Sequence, residues 1–298
     1  MRKQILHKHK LLTALLAGWI AACAPLSLDS VRPEPPSARV IVPLKSEKLI
    51  IALALGGGGA RGFAHVGVIK ALEAAGIKAD IIAGSSSGAI VAALYAGGYS
   101  GEELERLAVG LDEGSLIDFS FFGKGWVRGA ALQEFVNRAI GNRPIEQLTK
   151  AFAVVVTDAS NGRMVIFNRG DTGLAVRASS SVPDLFIPPV IDGVTYLDGG
   201  LTSPVPVRVT KAMGADFVIA VDLTRYPRAR ALAEPDLRHA DVVIRPATVR
   251  TRLLDFSGKQ QNIAAGEAAA REMAAGIGEL IAAVTRRKQA GGAPAPRT

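Results

Sequence analysis

The chain of 298 residues predicts an α/β domain with a mostly parallel central sheet. Residues 49–55 form a continuous apolar run bounded by glycines, the pattern of a buried strand. A helix is predicted at 62–75, a short strand at 80–83 and a buried helix at 87–96. Strands and helices that alternate over so short a stretch indicate parallel strands joined by crossover helices.

The rest of the chain continues this alternation up to a long C-terminal helix. An apolar stripe at helical spacing predicts that helix over residues 259–288, because Met273, Ile277, Leu280 and Val284 recur every three or four positions. Further helices are predicted at 102–109 and 128–140, and strands at 152–157, 164–168, 195–197, 217–221 and 242–244.

The N-terminus has the pattern of a secretory signal over residues 1–22, with four basic residues followed by twelve uncharged ones. A membrane-spanning helix needs about 20 apolar residues, so this run is short for a span. Cys23, the only cysteine, follows the run in a context that resembles a bacterial lipobox. We expect it to be lipidated; the alternatives are an ordinary cleavage site beside a bystander cysteine, or an uncleaved anchor.

The domain organisation follows from composition. Residues 23–47 are rich in proline and predict an extended tether after the lipidated cysteine. Residues 48–288 form the predicted domain, and residues 289–298 a disordered tail. A lipid anchor would hold the chain on a membrane without spanning it. Alanine at position 24 favours the outer membrane of a bacterial envelope, on its periplasmic side.

Charge and cysteine content exclude several classes of protein. The formal net charge is +8, and +4 without residues 1–22. No basic patch interleaved with aromatic residues is present, so we expect no nucleic-acid partner. A single cysteine excludes an intrachain disulfide, and no cluster of metal-ligand residues predicts a metal site.

A candidate nucleophile lies in Gly84-Ser85-Ser86-Ser87-Gly88, which fits the Gly-x-Ser-x-Gly elbow. The motif falls between a predicted strand and a predicted helix, the context that it needs. Ser86 would occupy the apex of the turn. The helix that follows would direct its positive N-terminus towards the site.

A glycine-rich loop precedes this elbow. The glycines between residues 56 and 62 leave successive backbone N–H groups uncovered, which form a natural anion nest and could hold an oxyanion. The same loop, with Asp80, also matches a dinucleotide fingerprint. That fingerprint requires its acid at the end of a strand, whereas Asp80 begins one, so the nucleotide interpretation is the weaker one.

Asp198, followed by Gly199 and Gly200, is the best candidate base. It would accept the proton of Ser86 directly if partial desolvation raised its pKa. The alternative is a triad of Ser86, Asp198 and His239. Of the other histidines, two belong to the predicted signal, and His65 is expected to be structural, near the glycine loop.

These residues together resemble the patatin-like phospholipase family. The glycine loop, the Ser86 elbow and the motif at Asp198 occur in the family's order. Residues 178–190 resemble the segment before the family's catalytic aspartate. Gly62-Phe-Ala-His-Val-Gly67 is similar to short bacterial members related to the neuropathy-target-esterase branch.

The resemblance implies a three-layer α/β/α fold and a catalytic dyad of Ser86 and Asp198, without a cofactor or metal. It implies that the N–H groups of Gly57, Gly58 and Gly59 are the oxyanion donors. It also implies that Arg61 orders the oxyanion loop. Gly84, Gly88 and Gly199 are further residues that support the motifs. The chain departs from the family pattern at Gly56, where an acid is common, and at Asp184, where glycine is common. The second departure lies close to the expected site.

The sequence therefore predicts a membrane-tethered serine hydrolase of lipid esters, of the phospholipase A, lysophospholipase or esterase type. Residues 116–122, including Phe121 and Phe122, would form an apolar lip over the site. Three alternatives remain open: the triad esterase, a nucleotide-binding protein, and a non-catalytic envelope lipoprotein on a hydrolase scaffold.

Overall fold

The computed structural model describes residues 33–112, 116–118 and 126–290. The predicted signal peptide, Cys23, Phe121 and Phe122 lie outside the described residues, as does the predicted tail beyond residue 290. Within the described part of the chain, no helix is long and apolar enough to cross a membrane.

A mixed, mostly parallel sheet forms the centre of the domain. Its described strands run in the order β5-β6-β3-β2-β1-β7-β8, and β4 pairs with β3. The pairs β1–β2, β2–β3, β1–β7 and β7–β8 are parallel, whereas β4 and β6 run antiparallel to β3. The strands are β1 (Ile51–Leu55), β2 (Ile81–Ser85), β3 (Ala151–Asp158), β4 (Met164–Phe167), β5 (Val190–Ile191), β6 (Val194–Leu197), β7 (Phe217–Val221) and β8 (Val242–Ile244).

Helices cover both faces of this sheet. They are α1 (Ala64–Ala74), α2 (Ser87–Ala96), α3 (Gly101–Gly110), α4 (Ala130–Ala139), α5 (Thr172–Ser179), α6 (Val207–Ala212), α7 (Pro227–Leu237) and α8 (Lys259–Gln289). A short 3-10 turn, Gly59–Phe63, leads into α1.

The alternation of side chains along each strand separates two cores. Leu53 and Leu55 of β1 face the larger core, which α1 to α5 and α8 cover. Ala52 and Ala54 face the smaller core, which α6 and α7 cover. Successive residues of a strand point to opposite faces of the sheet. Because β1 is apolar on both faces, it is buried between two helical layers. The predicted three-layer α/β/α architecture is confirmed.

Three helices, α5, α6 and α7, were not predicted from the sequence, and each was hidden for a local reason. Helix α5 is a short amphipathic segment capped by Asp171, whose side chain accepts from Leu174 N. Helix α7 begins at Pro227, a residue suited to a first turn, but also contains Pro235. Proline is unfavourable inside a helix, so a segment that contains one is not predicted as helical from its sequence. Helix α6 has six residues, too few for a periodic signal.

The described part of the predicted tether makes backbone hydrogen bonds to the domain. Asp171 N donates to Glu34 O at 2.7 Å, Ser37 pairs with Arg169, and Leu44 N donates to Met213 O at 2.7 Å. Prolines in this segment remove N–H donors but leave carbonyl acceptors. An extended proline-rich segment therefore still bonds to the domain.

Close packing of α1 against α8 depends on two glycines. A Cβ added to Gly67 would lie 1.9 Å from Ile263 O, and one added to Gly266 would lie 1.9 Å from Ala64 O. No side chain fits at such distances from backbone atoms, so the two helix backbones touch.

We predict that Gly266→Ala lowers the free energy of unfolding by more than about 3 kcal/mol, or prevents folding, because the helices must separate. Gly276→Ala in the same helix is the matched control, since nothing lies within 4 Å of its added Cβ. That control should be neutral or slightly stabilising, by up to about 1 kcal/mol. Urea unfolding followed by circular dichroism measures both. Equal stabilities would contradict this account of the helix contact.

Candidate active site

Ser86 lies on a strained turn between β2 and α2. Its backbone has φ 53° and ψ −128°, a conformation that is costly for a residue with a side chain. Glycine is required on both sides. A Cβ at Gly84 would lie 2.4 Å from Ala89 Cα, and one at Gly88 would lie 2.2 Å from Leu55 O. The turn therefore presents the Ser86 hydroxyl at the carboxyl end of the sheet, as the elbow motif predicts.

Asp198, at the end of β6, meets this hydroxyl directly. Ser86 Oγ donates to Asp198 Oδ2 at 2.6 Å, and Gly200 N donates to Asp198 Oδ1 at 2.7 Å. Burial raises the pKa of Asp198 to about 6, while the hydrogen bonds from Ser86 and Gly200 oppose that rise. A carboxylate with this pKa is a better base near neutral pH than an ordinary aspartate.

Strand β3 supports both members of this pair. Thr157 Oγ1 donates to Asp198 O at 2.9 Å. Ser86 N donates to Ser179 Oγ at 2.9 Å, and Ser179 Oγ in turn donates to Val155 O at 2.6 Å. No role for Ser179 was predicted from the sequence. The one signal for it is its place in the segment 178–190, which resembles the family's segment before the aspartate.

Gly199 permits the close approach of the Asp198 turn to the sheet. A Cβ at this position would lie 2.2 Å from Val155 O and 2.8 Å from Ser85 Oγ. Asp198 N also donates to Ser181 O at 2.9 Å. The turn is therefore held from two sides, and the carboxylate has little freedom to move away from Ser86.

The glycine loop lies against the Ser86 elbow. A Cβ at Gly57 would lie 3.1 Å from Ser86 Cβ. Gly57 N donates to Pro204 O at 3.0 Å, and Gly58 N donates to Ser87 Oγ at 2.9 Å. Among the three predicted donors, Gly57 is thus committed to a backbone carbonyl, because the loop after Asp198 lies under it.

Two further N–H groups belong to Gly59 and Ser87, which line the same cavity as Ser86. No acceptor for Gly59 N, or for Ser87 N at the start of α2, occurs in the described ranges. An N–H in the first turn of a helix has no intrahelical partner. Gly58 N would join these two groups when the Ser87 hydroxyl rotates away from it.

Arg61 and His65 hold the loop in place. Arg61 Nε donates to Gly58 O at 3.1 Å, which is the contact expected of a residue that orders the loop. His65 is fully buried, and its Nε2 lies 2.7 Å from Gly56 O. Burial lowers the pKa of His65 to about 4. The ring is therefore neutral, and its Nε2–H donates to the loop carbonyl.

The remaining candidates lie apart from Ser86. His239 is exposed just after α7, and the bonds to Asp198 come from Ser86 and Gly200 rather than from an imidazole. Asp80 accepts from Ile51 N at 3.0 Å, at the amino end of β1. It is at the opposite end of that strand from the glycine loop. No group of three or more metal-ligand side chains occurs in the part of the chain described here.

Two adjoining apolar cavities of about 80 Å³ each lie beside Ser86. Ser86 lines one of them, and the shared wall consists of Gly59, Ser87, Ile90, Leu116 and Phe256. We call the two together the apolar groove. Leu116, from the predicted lip, thus lies in the wall of the groove. The groove is lined almost wholly by carbon, so it suits an alkyl chain.

Comparisons with known proteins point to one family. The model of the family described as "Patatin-like phospholipase" matches residues 53–211, more than half of the chain. An uncharacterized NTE family protein of Mycobacterium bovis is 38% identical over 191 residues, which are 63% of this chain and 53% of that protein. This chain therefore spans about half the length of that relative.

More distant similarity extends to mammals and to solved structures. Human patatin-like phospholipase domain-containing protein 6 is 34% identical over 182 residues, 58% of this chain and 13% of that protein. The crystal structure of VipD from Legionella pneumophila has a TM-score of 0.54 at 15% identity. It covers 80% of this chain and 71% of its own, and it shows the shared fold. The chain belongs to the patatin-like phospholipase family.

Proposed function

We propose that this protein is a serine hydrolase of lipid esters that acts through Ser86 and Asp198. The observation that carries the proposal is the 2.6 Å hydrogen bond from Ser86 Oγ to Asp198 Oδ2, made by a serine on a strained turn beside a glycine loop. Membership of a family described as "Patatin-like phospholipase" supports a lipid as the substrate. The apolar groove beside Ser86 supports the acyl chain as the part that is bound.

In the acylation step, Ser86 Oγ attacks the ester carbonyl carbon while Asp198 Oδ2 takes the hydroxyl proton. The carbonyl oxygen becomes an oxyanion. The C–O bond to the alcohol then breaks, and the proton on Asp198 passes to the leaving oxygen. Water repeats the sequence on the acyl-enzyme, with Asp198 as the base, and releases the fatty acid.

The glycine loop and the start of α2 supply the oxyanion donors in this proposal. Gly59 N and Ser87 N have no acceptor among the described residues. Gly58 N becomes available as a third donor once the Ser87 hydroxyl rotates away from it. Gly57 N stays on Pro204 O, so Gly57 sets the position of the loop. One such donor typically accounts for about 10²–10³ in rate.

A place in the cell envelope is a further part of the proposal. It rests on the predicted signal and on Cys23, both outside the described residues. A lipid at Cys23 would hold the enzyme against the bilayer that contains its substrate. The intact mass of the protein from bacterial membranes tests it: a mass without residues 1–22 plus acyl groups supports anchoring, and an unmodified Cys23 contradicts it.

Fluorophosphonate labelling tests the nucleophile. We predict one adduct, on Ser86, with none in Ser86→Ala. Asp198→Asn should label at least about 10² times more slowly, because a general base contributes about 10²–10⁴. His239→Ala is the matched control for the triad alternative and should label like the wild type. A folded wild type that does not label would favour a non-catalytic scaffold, and loss of labelling in His239→Ala would favour the triad.

The raised pKa of Asp198 sets the pH dependence. We predict that kcat/KM on a soluble ester is constant above a pKa of about 6 and falls about tenfold per pH unit below it, because the protonated carboxyl cannot accept from Ser86. Stopped assays between pH 4.5 and 8 measure the profile. A plateau that extends down to pH 4.5 would exclude Asp198, at this pKa, as the base.

The same burial carries a cost in stability. A carboxyl with a raised pKa binds its proton more tightly when folded, so stability falls as pH rises from about 4 to about 6, and the cost persists at pH 7. We predict that Asp198→Asn raises the free energy of unfolding at pH 7 by roughly 1–3 kcal/mol. The gain should vanish near pH 4. Urea unfolding at both pH values measures it, and an equal gain at both would point to another cause.

A further inference from the structure

A second cavity lies beside the glycine loop and differs in character from the apolar groove. It has a volume of about 800 Å³, and Leu253 lines both spaces. Four arginines line it, and we call it the arginine pocket: Arg61, Arg225, Arg250 and Arg252. Arg61 is half-buried and the other three are exposed.

Ion pairs among the described residues do not neutralise the positive charge of this pocket. Within the described ranges, none of the four guanidinium groups has a carboxylate within 4.0 Å, whereas other arginines, such as Arg208 with Asp236, do. Arg61 donates one hydrogen bond to the backbone carbonyl of Gly58, and Arg225 donates one to that of Thr248. A guanidinium has five N–H groups, so most of these donors have no acceptor in the part of the chain that the structure describes.

The pocket also brings like charges close together. Burial and the neighbouring Arg225 guanidinium both lower the pKa of Arg61. The acid on the described part of the wall is Asp255, whose Oδ1 accepts from both Ser257 N and Ser257 Oγ. These bonds, and to a lesser extent the charge of Arg252, lower the pKa of Asp255. One carboxylate against four guanidinium groups leaves a net positive pocket, which favours an anion.

The arginine pocket is close enough to Ser86 for one molecule to reach both. A Cβ added to Gly57 would lie 3.1 Å from Ser86 Cβ, and the next residue, Gly58, lines the pocket. Gly58 Cα therefore lies within roughly 9 Å of Ser86 Cβ, given the fixed spacing of consecutive Cα atoms. In a glycerophospholipid, the phosphate is a few bonds from the ester carbonyl, so the two groups are separated on a similar scale.

Most of this pocket lies outside the segment that the family model matches. Arg225, Arg250 and Arg252 come after residue 211, in the loops that follow β7 and β8. Those strands are parallel to β1, so their carboxyl ends meet the glycine loop at the same edge of the sheet. The three arginines are therefore a feature of this chain that family membership does not assign.

We propose that the arginine pocket binds the phosphate of a lipid headgroup and makes the enzyme selective for phospholipids whose headgroup carries net negative charge. This proposal rests on the proposed function of Ser86. One guanidinium group can bind a phosphate through two parallel N–H···O hydrogen bonds. A headgroup that adds an ammonium brings a positive charge towards these arginines and is disfavoured.

Short-chain lipids below their micellar concentration separate headgroup binding from attraction to a charged surface. Three substrates with the same acyl chains serve: phosphatidylglycerol, phosphatidylcholine and diacylglycerol. The test variant is Arg250→Gln with Arg252→Gln. The matched control is Arg228→Gln with Arg230→Gln, which removes the same charge from exposed positions on α7 that do not line the pocket.

We expect the wild type to hydrolyse phosphatidylglycerol at least about tenfold faster than phosphatidylcholine in kcat/KM, as loss of about 1.4 kcal/mol of binding predicts. The test variant should lose most of that ratio and the control should keep it. Inorganic phosphate should compete with phosphatidylglycerol, and more weakly in the test variant. An equal fall on all three substrates would overturn the proposal, because it would indicate general damage.

Two other outcomes would also overturn it. Competition by phosphate without any headgroup preference would mean that the pocket takes a free anion. Selectivity that appears on anionic vesicles but not on dispersed lipids would mean that the arginines contact the membrane surface instead.

A binding measurement keeps this test separate from the proposed function. An ether-linked short-chain phosphatidylglycerol cannot be hydrolysed, and its binding to the full-length protein is measured by calorimetry. Tight binding that is weakened in the test variant supports the arginine pocket even if Ser86 proves inactive. Turnover of the neutral ester without such binding supports the hydrolase and overturns the pocket.

Discussion

The hydrogen bond between Ser86 and Asp198 is the constraint on which the site depends. It joins residues that are 112 positions apart, at the ends of β2 and β6. Both strands pair with β3, so the sheet itself sets their separation. A change in the register of either strand would break this bond, which places strong demands on the packing around β3.

Several small residues meet those demands. Gly84, Gly88 and Gly199 each lie so close to backbone atoms that a Cβ would collide. The strain at Ser86 and the burial of Asp198 both cost stability, and the two closely packed cores offset them. Backbone strain and a raised pKa at the same point support the proposed catalytic role of this pair.

The surroundings of Ser86 divide into an apolar side and a cationic side. The groove towards Leu116 and Phe256 is carbon-lined, whereas the pocket beyond Gly58 is lined by arginines. The glycine loop lies between them. An amphipathic ligand, with an alkyl chain and an anionic end, matches this division better than a wholly apolar or wholly polar one does.

The sequence by itself determined the class of fold, the extent of α2, β7 and β8, the elbow at Ser86 and the candidacy of Asp198. These follow from local patterns: apolar runs, glycine spacing and strand–helix alternation. Tertiary structure decided the rest. Long-range packing brings Asp198 to Ser86 without a histidine between them. It also pairs Gly57 N with Pro204 O and places residues 34–44 against the domain. The arginine pocket is the clearest case, because its members come from three separate loops and no local pattern in the sequence places them together.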